Sequence, residues 1–327
     1  MKIGIVGAGS WGSNLIRNFC EIIGDEKVVV CDARNEKTSK IQEIYPEIET
    51  TKNLKDILLN AQIQAVVVAT PTATHYRIAK DVLLSGKHLF VEKPITLNVK
   101  EAEELIELSE KKNLTLMVDH LLEYHPAVEE MKKLIEKGEL GEIYYIYSQR
   151  LNLGPIRSPE NALWSLGPHD VSIYLYLIGE EPNWVSATGG AYIQKDKRIH
   201  DTVFVNLHFS SGIDAYSQLS WLDPNKIRRL TVVGSEKMAV FDDMEPRNKL
   251  TIFDKGAEWR EEGGVEVRYG DIHIPNIPLI EPLRLACNHF LKCIREKKRP
   301  RSDGYDGLRV LKVLERAQKS LEKGREE

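Results

Sequence analysis

The stretch MKIGIVGAGSWGSNLIRNFCEIIGDEKVVVCD at residues 1–32 constrains this chain more than any other. A β-branched run (Ile3, Ile5, Val6) leads into Gly7, Gly9 and Gly12 at GxGxxG spacing, then an apolar-periodic segment, then a second strand at 28–31 ending in Asp32. Each part has a mechanical job in holding a dinucleotide. Gly7 permits the tight turn off the first strand, Gly9 lets the backbone approach a pyrophosphate, and Gly12 lets the helix pack close to the sheet. The phosphates then meet free N–H groups at the helix start, around Ser10 and Trp11, with the dipole behind them. Asp32 stands where a carboxylate accepts hydrogen bonds from the adenosine ribose, which predicts NAD over NADP; Arg34, two residues on, is a partial counter-charge for a 2′-phosphate. Glycine clusters also mark ordinary turns, so the weight rests on strand, helix, strand and terminal acid occurring together.

At 327 residues the chain is long enough for two domains with separate cores. A net charge of −4 supplies no field that would draw in nucleic acid, and the basic run at 295–301 closes a helical pattern, where cations favour the dipole. Cys20, Cys31, Cys287 and Cys293 show no CxxC or CxxH spacing, and the first strand starts at Lys2, so the expectation is a leaderless cytoplasmic protein with reduced thiols. No apolar run approaches the roughly 18 residues of a membrane span. No HxH, HExxH or Cys-rich cluster suggests a metal.

Along the chain, a helix over 10–23 presents Leu15, Ile16, Phe19, Cys20 and Ile23 on one face. The run IQAVVVA at 63–69 reads as a parallel strand buried on both sides and ends in Thr70 and Pro71. A helix over 73–85 stops at Gly86, and a strand at 88–91 ends in Glu92, Lys93 and Pro94. Asn98 and Glu101 look like a capping box for a helix over 99–111, with another strand at 114–118. This alternation predicts a doubly wound parallel sheet, a Rossmann domain at 1–120, with ligands beyond the carboxyl ends of its strands. From 121 to 327 the grammar changes. A helix over 126–137 and a strand at 143–150 precede a polar loop at 151–165; Pro168 opens a helix with Val171, Tyr174, Leu175 and Ile178 on one face. Strands at 184–193, 201–209, 213–221, 228–233 and 238–241 then predict a large, mostly antiparallel open sheet in a second α/β domain for substrate binding and oligomerisation, closed by helices over 282–296 and 305–321. Phe204 on its polar face suggests cover by another subunit.

Hydride transfer needs a proton acceptor or donor beside the reacting carbon. Lys93 follows a buried strand and precedes a proline, aimed at the crevice; position alone fits an exposed loop lysine equally well. His169 sits in the first turn of the helix opened by Pro168, where the dipole favours a neutral, proton-accepting ring, or where a structural histidine is satisfied by hydrogen bonds. His75 either lines the nicotinamide pocket or caps its helix; His120 and His125 flank the domain junction. The loop from 149 to 165 offers Arg150, Asn152, Arg157 and Asn161 for phosphate, carboxylate or sugar hydroxyls, or is an ordinary polar loop.

With GAGSWG, TPTATH, the EKP tract at Glu92 to Pro94, LGPHD at 166–170 and the closing EPLRLACNHF and SDGYDGLRVL segments, the chain resembles the Gfo/Idh/MocA oxidoreductases over essentially its whole length. The resemblance implies that Lys93 hydrogen-bonds the reacting hydroxyl or carbonyl, that His169 is the acid/base, that Pro94 follows a cis bond, and that the chain forms a homodimer or homotetramer. It places Gly7, Gly9, Ser10, Trp11, Gly12, Asp32, Thr70, Pro71, His75, Glu92 and Lys93 on NAD, and Lys93, Arg150, Asn152, Arg157, Ser165 and His169 on substrate. Many members carry an aspartate four residues before the histidine; here that position is Ser165, which orients a hydroxyl without supplying charge. The segments around LWSLGPHD and SWLDPNK look most like the branch that oxidises nucleotide-linked N-acetylhexosamines, or their uronates, at the 3-hydroxyl. Oxidation of a free sugar or inositol, NAD-dependent glycoside hydrolysis and a sensor without turnover stay open, because fold alone does not choose among them.

Overall fold

The computed structural model describes residues 1–261 and 263–324. The strands are β1 (Lys2–Val6), β2 (Val28–Cys31), β3 (Glu49–Thr51), β4 (Ile63–Val68), β5 (His88–Val91), β6 (Leu116–Val118), β7 (Ile143–Leu153), β8 (Pro182–Gly190), β9 (Thr202–Phe209), β10 (Asp214–Ser220), β11 (Leu222–Gly234), β12 (Met238–Asp242), β13 (Leu250–Arg260) and β14 (Gly264–His273). The α-helices are α1 (Ser10–Ile23), α2 (Asn35–Ile44), α3 (Leu54–Leu59), α4 (His75–Leu84), α5 (Val99–Lys111), α6 (Pro126–Glu136), α7 (Ala162–Ile178), α8 (Pro282–Glu296) and α9 (Gly304–Lys323). Two compact units result: Met1–Leu121 with Glu281–Leu311, and Leu122–Ile280 with the stretch from Lys312 on.

The first unit is a parallel sheet in the order β3-β2-β1-β4-β5-β6. Chain direction across the sheet reverses between β1 and β4, the switch point where a crevice opens at the carboxyl ends. The β2 run VVVC is buried throughout, as expected of strands covered on both faces. Part of that cover arrives from far along the chain. Helix α8 packs on α1, Arg17 and Glu281 pair at 2.6 Å, and Phe290 meets Phe90 with ring centroids 5.4 Å apart. The basic run behind α8 is tied down locally, Lys298 to Glu296 at 3.0 Å and Arg299 to Glu110 at 2.8 Å.

The second unit carries the sheet β14-β13-β12-β11-β7-β10-β9-β8, in which β10 runs parallel to β7 and every other neighbouring pair is antiparallel. Helix α7 packs on β7, β9 and β10, and Val203, Val205, Leu207 and Phe209 are buried. On the opposite face Tyr145, Trp184, Phe204 and Tyr216 are exposed. Tyr174 of α7 donates to Ser148 Oγ at 2.6 Å or to the carbonyl of Tyr216 at 2.8 Å, which lets a fully buried phenol keep a partner.

Three expectations change. Strand β7 runs on to Leu153, so Arg150 and Asn152 lie on a strand, not in a loop. Helix α7 begins at Ala162, with Asn161 Oδ1 accepting from Trp164 N–H at 3.1 Å, and Pro168 lies inside it. An internal proline costs roughly 3 kcal/mol; burial of Ala162, Leu163, Val171, Ile173 and Leu175 along the same helix offsets that. The β13/β14 hairpin adds two strands beyond those expected; Val265, Val267 and Tyr269 alternate with Glu266 and Arg268 along β14, which is largely exposed.

His125 caps α6, accepting from Ala127 N–H at 3.0 Å on Nδ1. Burial brings its pKa down to about 4, against the opposing pull of Asp243. The unfolded value is near 6.5, so the folded protein resists protonation here, and the stabilisation is present above that value and lost as pH falls toward about 4. The expected contribution is on the order of 3 kcal/mol. Urea unfolding at a series of pH values checks it: His125→Asn, which keeps a capping acceptor without a proton to gain, should flatten the profile, and equal acid slopes in both proteins would contradict the assignment.

Candidate active site

In the first unit the glycine turn is dictated by backbone contacts. A Cβ on Gly7, whose φ is +102°, would lie 2.4 Å from the Ala69 carbonyl oxygen, and one on Gly12 would lie 1.9 Å from the Gly7 carbonyl oxygen. At Gly9 a Cβ would meet nothing within 4 Å. That opening lies at the start of α1, whose N-cap, Gly9, offers no side-chain acceptor to the helix N–H groups. An open approach, uncapped donors and no acidic residue in the first turn fit a pyrophosphate.

Asp32 is 7% exposed. Its Oδ2 accepts from Ala8 N–H at 2.9 Å, and Oδ1 from Arg34 N–H at 3.0 Å. The Arg34 side chain adds Nε to Oδ1 at 3.1 Å and Nη2 to Oδ2 at 3.2 Å. Burial alone would raise this carboxyl; the donors on Arg34 and Ala8 outweigh it and hold the pKa below the usual range. Ribose hydroxyls would take the places now filled by the exposed Arg34 side chain, while the backbone contacts keep the carboxylate aimed.

The loops after β4 and β5 are joined by His75. It is buried, with Nε2 2.8 Å from the Thr70 carbonyl and Nδ1 2.9 Å from the Pro94 carbonyl. Both oxygens only accept, so a neutral ring satisfies one and a doubly protonated ring both. His75 thus spans the Thr70-Pro71 and Lys93-Pro94 turns, and the Lys93–Pro94 bond is cis. Lys93 leaves the carboxyl end of β5 between buried Glu92 and Pro94.

Asp119 carries no sequence motif, although it directly follows β6 at the same edge of the sheet as Lys93. It is fully buried and accepts from Trp11 Nε1 at 3.2 Å, tying the strand end to the glycine loop. Its neighbour His120 pairs with Asp306 at 2.6 Å, both buried, and the half-exposed Arg309 contacts Asp306 at 2.9 Å.

In the second unit Ser165 and His169 lie one turn apart on α7 and so share a face. His169 is well inside α7 rather than in its first turn, which removes the helix-dipole reason for a neutral ring. Arg150 is buried against Asp170, Nε to Oδ1 at 2.8 Å and Nη2 to Oδ1 at 2.7 Å, so its charge is already matched. Asn152 Oδ1 accepts from Arg228 at 2.9 Å, and Arg157 pairs on the surface with Glu160 at 3.3 Å. Arg228 stands beside Arg150 on the neighbouring strand and donates to the carbonyls of Leu151 and Ile227 and to Asn152, with no carboxylate among its hydrogen-bond partners in the described residues. Burial, and after it the Arg150 charge, lower its pKa to about 10. The signal that could have found it is the RR pair at 228–229 in a strand facing Arg150.

Residues 1–120 match the family model described as oxidoreductase family, NAD-binding Rossmann fold, and residues 128–240 match the GFO/IDH/MocA C-terminal domain. UDP-N-acetylglucosamine 3-dehydrogenase from Acidithiobacillus ferrooxidans is 26% identical, covering 95% of this chain and 94% of that one. Myo-inositol 2-dehydrogenase from Thermotoga maritima is 24% identical over 99% and 97%. A solved structure from Magnetospirillum magnetotacticum is 30% identical with a TM-score of 0.82, covering 97% of this chain and 99% of its own. No helix among the described residues is long and apolar enough to cross a membrane.

The glycine geometry predicts two separable phenotypes. Gly9→Ala, whose Cβ enters open space, should keep Tm within about 2 °C yet weaken dinucleotide binding about tenfold or more, whereas Gly12→Ala should lower both Tm and affinity. Dinucleotide titration and thermal melts check this, and wild-type affinity in Gly9→Ala would rule out a pyrophosphate at that opening.

Proposed function

This chain belongs to the Gfo/Idh/MocA oxidoreductase family, and on that premise we propose that it oxidises the 3-hydroxyl of a UDP-linked N-acetylhexosamine, or its uronate, to the ketone, passing hydride to NAD. The observation that carries the reading is the common edge of the first unit: the open glycine cradle, the aimed Asp32 carboxylate and Lys93 all stand at the carboxyl ends of parallel strands of one sheet, β1, β2 and β5. NAD, when bound, supplies the hydride acceptor. Asp32 selects it over NADP by repelling a 2′-phosphate. Lys93 stabilises the developing alkoxide, and His169 takes the hydroxyl proton; Ser165, on the same face of α7, orients the hydroxyl by hydrogen bonding. The nucleotide-sugar substrate is supported by the resemblance to UDP-N-acetylglucosamine 3-dehydrogenase over nearly the whole chain. Within the second unit Arg228, rather than the neutralised Arg150, is the better guanidinium for an anionic group of the substrate, with Asn152 beside it and Arg157 on the surface.

The relative that acts on inositol motivates the competing substrate class. Reduced cofactor is followed with UDP-GlcNAc, its uronate, free GlcNAc and myo-inositol, using NAD and NADP in parallel. The expected result is turnover of a UDP-sugar with NAD. Good turnover of inositol with every UDP-sugar inert would sink the substrate claim, free sugar released without net NADH would indicate glycoside hydrolysis, and equal use of NADP would remove the role given to Asp32. In the same assay Lys93→Ala should lose most turnover while keeping cofactor affinity, and His169→Ala should lose a factor of roughly 10²–10⁴; near-wild-type rates would strike either residue from the mechanism. The exposed face carrying Tyr145, Trp184, Phe204 and Tyr216 suits a second copy, and sedimentation at micromolar protein tests that assembly against a monomer.

A further inference from the structure

Strands β5 and β6 pair with Val91 beside Val118, so the first residue beyond each, Glu92 and Asp119, emerge side by side at the carboxyl edge. Both backbones are fixed there, Glu92 N–H donating to the Val68 carbonyl and Asp119 N–H to the Val91 carbonyl, each at 2.9 Å. Glu92 is 8% exposed and Asp119 0%. Two carboxylates held together away from water do not both keep a charge, because mutual repulsion and lost hydration both oppose it. A carboxylic acid donating to a carboxylate removes both costs with one short bond.

The surrounding groups say which member is the acid. Trp11 Nε1 donates to Asp119 Oδ2, which favours charge on Asp119. Among the described residues Glu92 Oε1 and Asp119 Oδ1 are buried with no hydrogen-bond partner, so no donor there supports a second charge on those oxygens. Burial first, and then the charge of Asp119, push the Glu92 carboxyl well above its usual range, outweighing the Lys93 charge and backbone N–H, which favour its ionised form. Burial raises Asp119 as well, against the bonds donated by Glu92 and Trp11 and the charges of His120 and Lys93. The buried Cys287 thiol, pushed well up by burial and then by Asp119, stays neutral beside them.

We propose that Glu92 and Asp119 hold one shared proton at the edge of the dinucleotide cradle, and that Trp11 couples this proton to cofactor binding. With the proton in place the pair carries one negative charge; without it, two, next to a loop that must accept the two negative charges of a pyrophosphate. Loss of the proton also removes the bond that steadies Asp119 against the Trp11 indole. Dinucleotide affinity therefore falls as pH rises through the titration of the pair. Glu92 and Asp119 are positioning residues here, acting on the cradle through Trp11 and on the charge balance around Lys93. The inference rests on dinucleotide binding at the glycine cradle.

The test is titration of wild type, Glu92→Gln and Asp119→Asn with NADH from about pH 6 to about pH 9.5. Wild type should weaken about three- to tenfold toward alkaline pH, the size of one added charge at a partly screened distance. Glu92→Gln, which keeps an N–H donor toward Asp119 and has no proton to lose, should bind with a flat profile. Asp119→Asn should shift the Glu92 titration toward acid. Infrared spectra near neutral pH should show the carbonyl band of a buried protonated carboxylic acid in wild type and its loss in Glu92→Gln. Superimposable pH profiles for wild type and Glu92→Gln, or no such band in wild type, would overturn the shared proton. Failure of wild type to bind NADH at any pH would instead overturn dinucleotide binding itself, and if Asp119→Asn does not fold, Glu92→Gln and the infrared band still decide.

Discussion

The parallel pairing of β1 with β4, Val6 beside Val68, is the constraint on which the rest of the candidate site depends. Parallel strands all release their chains at one edge, and an open doubly wound sheet places its crevice there. Glycine turn, Thr70-Pro71, Glu92-Lys93-Pro94 and Asp119 therefore gather although they are separated by tens of residues in sequence. The sheet itself needs burial on both faces, and α8 supplies part of it through Phe290 on Phe90. A stretch close to the chain's end is thus part of the core of the unit that carries the cofactor cradle.

Polar groups in both units are managed by pairing. Asp32 is saturated by Ala8 and Arg34, Asp170 matches Arg150, and His120 meets Asp306, all at ordinary hydrogen-bond distances. Buried charges without such partners are expensive, so where a partner set is incomplete the chemistry has freedom left. Two such places, among several in the described residues, bear on the candidate site. Among those residues Arg228 bonds only neutral oxygens, and Glu92 with Asp119 has two buried oxygens that no donor there reaches. One is suited to an anion and the other to a proton.

Much of this was legible in the residues. GxGxxG followed by a strand and Asp32 pointed to the parallel sheet and the dinucleotide cradle, because Gly7 and Gly12 answer local backbone needs that a Cβ would violate, while Gly9 leaves the approach to the helix start open. The strand ends at Lys93 and the helix 99–111 followed from the same local rules, alternation, capping and apolar runs. The mostly antiparallel second sheet was visible too, through the buried alternation of Val203, Val205, Leu207 and Phe209.

Tertiary structure decided what local rules do not reach. Pro168 reads as a helix start, yet burial along α7 carried the helix back to Asn161 and left His169 in its interior. Arg150 reads as a free anion clamp, yet the packing of α7 on β7 set Asp170 against it and left Arg228 with neutral partners. Asp119 carried no motif, and only the register of β6 on β5 put it beside Glu92 and under the reach of Trp11. The reason is common to all three: a side chain's charge and aim are set by whatever lies across from it, and that neighbour comes from a distant part of the chain.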